Sequence, residues 1–291
     1  MLKSQKKYVV AAGLIAPAFI IYTVFFILSI WDTIALSVHE WNGIKMIPQV
    51  FVGFKNYITM FTDSGFFNSL FNSFAFLVTT IVVIMPCSFF LAYIIFSGLK
   101  KAGFFKTVFY FPTILPITAI GLMWSFILYA DGGAANALLA MLRLPSNIDW
   151  LGNPQLVIWT VTLVNAWTYI GQNMLFFLAG FANISKDVLE AASIDGATGW
   201  RKLRHIIIPG SKESFKMFLV LGVSGSLKVF DIIYVMTNGG PGTASDVPAT
   251  LLFKNSFVYS RFGYGSAIGV FILVSSVLIS YLLTALFNKL D

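Results

Sequence analysis

ISKDVLEAASIDGATGWRKLRHIIIPG, residues 184–210, separates two long apolar runs. Ser185 is a good N-cap, and Asp187 in the following turn favours the positive end of a helix dipole. Val188, Leu189, Ala192 and Ile194 then describe a short helix that Gly196 can end. Thr198 is a second N-cap candidate. Beyond it Trp200, Leu203, Ile206 and Ile207 recur at helical spacing, with Arg201, Lys202 and Arg204 between them, until Pro209 interrupts the pattern. The spacing predicts two short amphipathic helices joined by a small-residue turn. A basic pair of this kind can simply lie on lipid headgroups, and the pattern alone does not discriminate further.

The flanking sequence explains why lipid is the relevant solvent. Of 291 residues, 58% are hydrophobic, only 11% are charged and thirty are Phe. Soluble domains carry roughly 45–50% apolar and about 25% charged residues, so too little polar surface remains to coat a water-soluble globule. A helical span needs about 20 mostly apolar residues, because lipid offers no partner to unpaired backbone groups. Six segments qualify, at about 8–30, 71–96, 104–129, 156–181, 215–236 and 266–287. Pro17, Pro86, Pro112 and Pro116 fall in or beside these runs and predict kinks rather than breaks. The first run is longer than the roughly 7–15 residues of a signal-peptide core and no small-x-small site follows it, so it reads as a retained span. The fold class is all-α: a polytopic protein with one membrane domain over 1–291 and no separate soluble domain or tandem repeat.

Lys and Arg are asymmetrically placed. Lys3, Lys6 and Lys7 precede the first run, Lys100, Lys101 and Lys106 follow the second, and Lys289 lies near the end. The loop of about 185–212 adds Lys186, Arg201, Lys202, Arg204 and Lys212, with Lys216 just beyond. The other loops hold only Lys45, Lys55, Arg143, Lys254 and Arg261 over far more residues. The positive-inside rule therefore makes both termini and the 185–212 loop cytoplasmic. The net charge of +7 forms no basic stripe interleaved with aromatics, so nucleic acid is not an expected partner. Cys87, alone and within an apolar run, excludes an intrachain disulfide and reads as a small core residue.

Within the loop, Glu190-Ala191-Ala192 is followed after three residues by Gly196 and after nine more by Ile206-Ile207-Ile208-Pro209. This resembles the EAA loop of ABC importer permeases, EAA-x3-G-x9-I-x-L-P, with Ile208 in place of the usual Leu. The stretches PAFIIYTVFFILSIWDTIALS, FVGFKNYITMF, FFNSLFNSF, FPTILPITAIGLMW and NAWTYIGQNMLFFLAGF look like carbohydrate-importer permeases. SLKVFDIIYVMTNGGPGTASDVPATLLFKNSF is similar to the MalF-like partner of a MalF/MalG-type heterodimer. The resemblance implies the type I importer permease fold, in a compact six-span form, in the cytoplasmic (inner) membrane of a prokaryotic cell. It also implies a MalG-like second permease, two cytoplasmic ATPases, an extracytoplasmic binding protein and a carbohydrate substrate. Glu190, Ala191, Ala192, Gly196 and Pro209 would form the ATPase-coupling element. Small residues permit close approach, Glu190 offers a charge-assisted bond, and Gly196 permits a sharp reversal. No G-x-x-x-x-G-K-[ST] loop occurs in the sequence. No cofactor is therefore expected on this chain, and ATP with Mg2+ would sit on the partner ATPase.

Polar residues inside spans are costly and tend to be functional. By position from the two motifs, the resemblance assigns the solute-contacting role to Asn165, Thr168, Tyr169, Gln172, Gly222 and Ser226, with Lys228 at the border. Aromatic rings suit apolar sugar faces and amides suit hydroxyls. Because the polar run from Asn165 to Asn173 covers every face of a helix, some of it must instead bond neighbouring helices. Lys228 and Asp231, three apart, can pair on one helix face. His39 and His205 have no neighbours spaced as a metal or catalytic set, and no nucleophile–base arrangement occurs, so no catalytic residue is assigned. The competing expectations are a permease for glycerol-3-phosphate or another polyol, and an ion-coupled secondary transporter.

Overall fold

The computed structural model describes residues 13–289, which form two compact units. Lys3, Lys6, Lys7 and the expected start of the first span at Tyr8 lie outside the described residues. The elements are helices, apart from one short antiparallel ribbon pairing His39–Glu40 with Val50–Phe51.

One unit joins residues up to 63 with 252–271. Its helix Gly13–Ser37 is apolar and largely uncovered, with Phe25 and Trp31 each 68% exposed. Such a helix satisfies its own backbone and leaves its side chains for lipid. A polar knot follows its end. Asn56 Nδ2 donates to the carbonyls of Ser37 and His39, both at 2.9 Å, and the Tyr57 hydroxyl bonds Ser37 Oγ at 2.7 Å. The Tyr264 hydroxyl donates to Asp63 Oδ2 at 2.7 Å. The FKNYITMF segment thus carries its Asn and Tyr to tie a loop to a helix end.

The other unit joins 64–251 with 272–291. The helix Ser64–Phe96 contains Pro86, and a π turn, Thr80–Ile84, comes just before it. The same pairing recurs where the π turn Leu203–Ile207 precedes Pro209. A proline ring strikes the carbonyl four residues back, and the wider turn relieves that clash. Kinks rather than breaks are correct here. They are not correct for the run expected at 104–129, which is two helices, Ala102–Ile114 and Ile117–Ile127, bent by 94°. Leu115 takes an extended ψ of 144°, as a residue before proline prefers, and Pro116 then caps the second helix. The run expected at 215–236 is also divided. Lys212–Ser226 stops, Phe230 departs from helical angles at φ −138°, and Asp231–Met236 resumes.

By length and composition, Gly13–Ser37, Ser64–Phe96, Phe262–Lys289 and the bent pair suffice to cross a membrane. The 26-residue helix Val157–Ala182 is long enough but is diluted by its Asn, Gln and Thr residues. It forms the spine of this unit. Phe177, fully buried on it, stacks on Phe218 with ring centres 5.6 Å apart and meets Phe89 edge-on at 5.5 Å. Lipid is as apolar as Phe, so the gain is close packing, about 0.5–1.5 kcal/mol per ring pair, rather than removal from water.

The Thr237–Gly242 turn is held from two sides. Ser245 Oγ bonds Thr237 Oγ1 at 2.8 Å and donates to the Gly240 carbonyl at 2.7 Å. Asn72 Nδ2, on the helix Ser64–Phe96, donates to the carbonyls of Ala244 and Asp246 at 2.9 and 2.8 Å, and Asn68 Nδ2 reaches the Thr243 carbonyl at 2.9 Å. Asn72 is buried and Asn68 half-buried. Asn72→Leu strips two carbonyls of their donor and is expected to lower stability by about 1–3 kcal/mol. Asn68→Ala should cost less, and thermal melting of the purified permease in detergent measures both.

Candidate functional site

Two features stand out, a surface loop and a cavity, and both belong to the second unit. In the loop, Ser185 Oγ accepts from the Asp187 amide at 3.2 Å and starts the helix Lys186–Ile194. Its end is a Schellman closure. Ala197 N–H bonds the Ala192 carbonyl at 2.8 Å, Gly196 N–H bonds that of Ser193 at 3.2 Å, and Gly196 adopts φ +73°. Thr198 takes an extended N-cap conformation but makes no side-chain cap bond. Helical backbone then runs from Gly199 through Gly210, with Pro209 exposed near its end.

Ala192 is buried within the chain. Asp187, Glu190, Ala191 and Ile194 form the outward face, at helical spacing, with Ile194 87% exposed. Trp200 stands out beside them, 64% exposed. The inward face is equally defined. Leu189, Leu203 and Ile207 join the core of Phe177, Phe181, Phe89 and Phe218. The Tyr93 hydroxyl donates to the Gly199 carbonyl at 2.9 Å, fastening the loop to the end of Ser64–Phe96.

The cavity, of about 430 Å3, lies where Lys212–Ser226 stops. Asn165, Tyr169, Gln172, Asn173 and Phe176 from Val157–Ala182 form one wall, at spacings that share a helix face. Gly222, Gly225, Ser226, Lys228 and Asp231 form another, and Phe76, Thr80 and Ile84 come from Ser64–Phe96. Six of the seven sequence-assigned residues are therefore together. Thr168 is not among them. It is buried, its Oγ1 bonds the Val164 carbonyl at 3.0 Å, and its own carbonyl accepts from Thr113 Oγ1 at 2.6 Å, which makes it an interhelical tie. Ser226 lines the space but donates to the Val223 carbonyl at 2.7 Å.

Lys228 and Asp231 do not pair. Lys228 lies within the non-helical segment 227–230 and Asp231 opens the helix after it, and among the described residues no ion pair or hydrogen bond engages either side chain. The side-chain amides of Asn165 and Gln172 are likewise unengaged. Asn173 bonds the Tyr169 carbonyl at 2.9 Å. Asp231, Thr80 and Phe176 are wall residues that the sequence assignment omitted; a carboxylate in an apolar run was the available signal for the first. Among the described residues no group of His, Cys, Asp and Glu could hold a metal ion. Loop and cavity share material. Ile84 and Phe218 belong both to the cavity wall and to the aromatic core that receives Leu203 and Ile207.

Residues 84–290 match the family described as "Binding-protein-dependent transport system inner membrane component". The chain is 31% identical to the probable ABC transporter permease protein YurN of Bacillus subtilis, covering 91% of each chain. It is 32% identical to the trehalose/maltose transport system permease protein MalF of Thermococcus litoralis, over 95% of this chain and 93% of that one. A permease chain of a bacterial ABC transporter involved in the import of the acidic polysaccharide alginate superposes with a TM-score of 0.85, at 21% identity, over 99% of this chain and 98% of that one. That likeness gives the fold, an ABC importer permease.

Proposed function

Because this chain belongs to the family of binding-protein-dependent transport system inner membrane components, we propose that it is the MalF-like permease of an importer for a sugar or oligosaccharide. As a permease it is a transport component, not the ATP-hydrolysing one. It would form the path with a MalG-like second permease, receive solute from an extracytoplasmic binding protein, and be driven by two ATPases that carry the ATP and Mg2+. One permease domain would cross the membrane six times with both termini cytoplasmic. In that arrangement Val157–Ala182 and the divided 212–236 region cross inside the assembly, where companions cover their polar groups.

The observation that carries this reading is the continuity from Glu190 to the solute cavity. The outward face of Lys186–Ile194, including Glu190, Ala191 and Ile194, would sit in a groove of the ATPase. Ala192, Gly196 and Pro209 shape the loop behind it. ATP binding can shift the transporter only through its differential affinity for two conformations. Movement of the loop would reach Asn165, Tyr169, Gln172, Gly222, Ser226 and Lys228 through Ile207, Ile84 and Phe218. A carbohydrate is supported by the names of relatives, such as the trehalose/maltose permease, and by a wall of amides beside an aromatic ring.

Reconstitution with the companion permease, the ATPases and the cognate binding protein tests it. Sugar-loaded binding protein is expected to stimulate ATP hydrolysis, and inactivating the ATPase is expected to stop uptake. Stimulation by glycerol-3-phosphate alone would move the chain to the polyol class. Uptake that survives ATPase inactivation would mean an ion-coupled carrier.

A further inference from the structure

We propose that the cavity selects an electroneutral polyhydroxyl solute and discriminates against sugars that carry net charge. The inference rests on the cavity being the solute site of a sugar permease. Its basis is the charge inventory of the wall. Of nineteen residues lining the space, two are ionisable at neutral pH as charged groups, Lys228 and Asp231, and they carry opposite signs. Neither is neutralised by contact, since among the described residues no ion pair or hydrogen bond engages either side chain.

Both charges sit at the interruption between Lys212–Ser226 and Asp231–Met236. An unpaired charge inside a membrane protein is expensive, so each calls for a partner that the chain does not supply. A sugar hydroxyl is both donor and acceptor. One neutral sugar can therefore accept from the Lys228 ammonium and donate to the Asp231 carboxylate at once, leaving the occupied cavity electroneutral. The amides of Asn165 and Gln172 face the same space and offer further donors and acceptors without adding charge.

A carboxylate or phosphate on the solute changes this balance. It would be drawn to Lys228, and Asp231 would then remain uncompensated beside a like charge in a partly desolvated space. A cationic solute would meet the mirror-image problem. Phe76, Phe176, Phe218 and Phe230 on the wall supply apolar surface that cannot solvate the excess charge.

The test uses the complete transporter, both permeases and both ATPases, in nanodiscs without binding protein, so that the cavity's own preference is read. Saturation-transfer NMR titrations compare lactose with lactobionate, maltotriose with maltotrionate, and glycerol-3-phosphate as a small anion. The neutral member of each pair is expected to bind at least about tenfold more tightly than its aldonate. Asp231→Asn is expected to narrow the ratio to about threefold or less, and Lys228→Gln to widen it. An aldonate or glycerol-3-phosphate that binds as tightly as the neutral sugars overturns the proposal, whatever the variants do. If sugar-loaded binding protein still stimulates ATP hydrolysis in that case, the importer assignment stands and the charge rule alone fails. Binding of none of the probes overturns both the cavity as a sugar site and the rule built on it.

Discussion

Glu190→Lys is expected to abolish uptake while the permease still folds, inserts and accumulates in the membrane. Glu190 is exposed on the helix Lys186–Ile194, and among the described residues no hydrogen bond or ion pair within the chain engages its side chain. Nothing internal is lost by reversing its charge. The burial that holds the helix in place comes from Leu189 and Ala192 on its other face. What changes is the surface proposed to dock the ATPase. Truncating a charge paired across an interface costs about 2–5 kcal/mol, and reversal adds repulsion. Since about 1.4 kcal/mol is tenfold, ATPase association should weaken by at least about thirtyfold. Glu190→Gln keeps the shape and one acceptor, so it should fall between wild type and Glu190→Lys. Co-purification of the ATPase with tagged permease and uptake in cells are the two readouts. If both survive Glu190→Lys, this helix is not the coupling element.

The contrast between this loop and the cavity explains what could be read from residues alone. The loop's geometry is local. A Ser cap, a glycine at φ +73° and apolar residues three and four apart each act within one or two turns, and all are visible in sequence. Its inward and outward faces were less legible, because turning Leu189 inward required the Phe177–Phe181 cluster to be in place. The bend after Ile114 was available from Pro116, whose effect on Leu115 is local. The interruption at 227–230 was not, since Leu-Lys-Val-Phe contains no Pro or Gly. There tertiary packing overrides a sequence that could have stayed helical, and Lys228 and Asp231 are separated instead of stacked. The six polar or aromatic positions from Asn165 to Asn173 could not be sorted by period, because both faces were polar. The bonds from Thr113 to the Thr168 carbonyl and from Ser88 to the Ile170 carbonyl show which sides face neighbouring helices.

Gly171→Ala is expected to destabilise the permease strongly, whereas Gly225→Ala should leave it folded and impair transport. Ala is the better helix former by about 1 kcal/mol, so propensity alone predicts stabilisation at both sites. Space decides otherwise. A Cβ on Gly171 would stand 1.8 Å from the Phe109 carbonyl oxygen and 2.8 Å from the Tyr110 nitrogen. Those are backbone atoms of Ala102–Ile114, which cannot swing aside as a side chain could. The helices would have to part, and the Thr113–Thr168 bond of 2.6 Å in the same seam would be lost with the close packing. Overpacking of this kind costs about 1–3 kcal/mol, and more when backbone must move. At Gly225 no atom lies within 4 Å of the added methyl, which projects where the cavity wall is open. Gly225→Ala should therefore melt at or above the wild-type temperature in detergent. If the cavity holds the solute as proposed, the methyl takes space from it, and uptake should fall with a raised apparent KM. Gly171→Ala should melt lower and elute as aggregate in size-exclusion chromatography. Equal melting temperatures for the two variants would mean that the seam between Ala102–Ile114 and Val157–Ala182 is not packed as tightly as the Gly171–Phe109 approach requires.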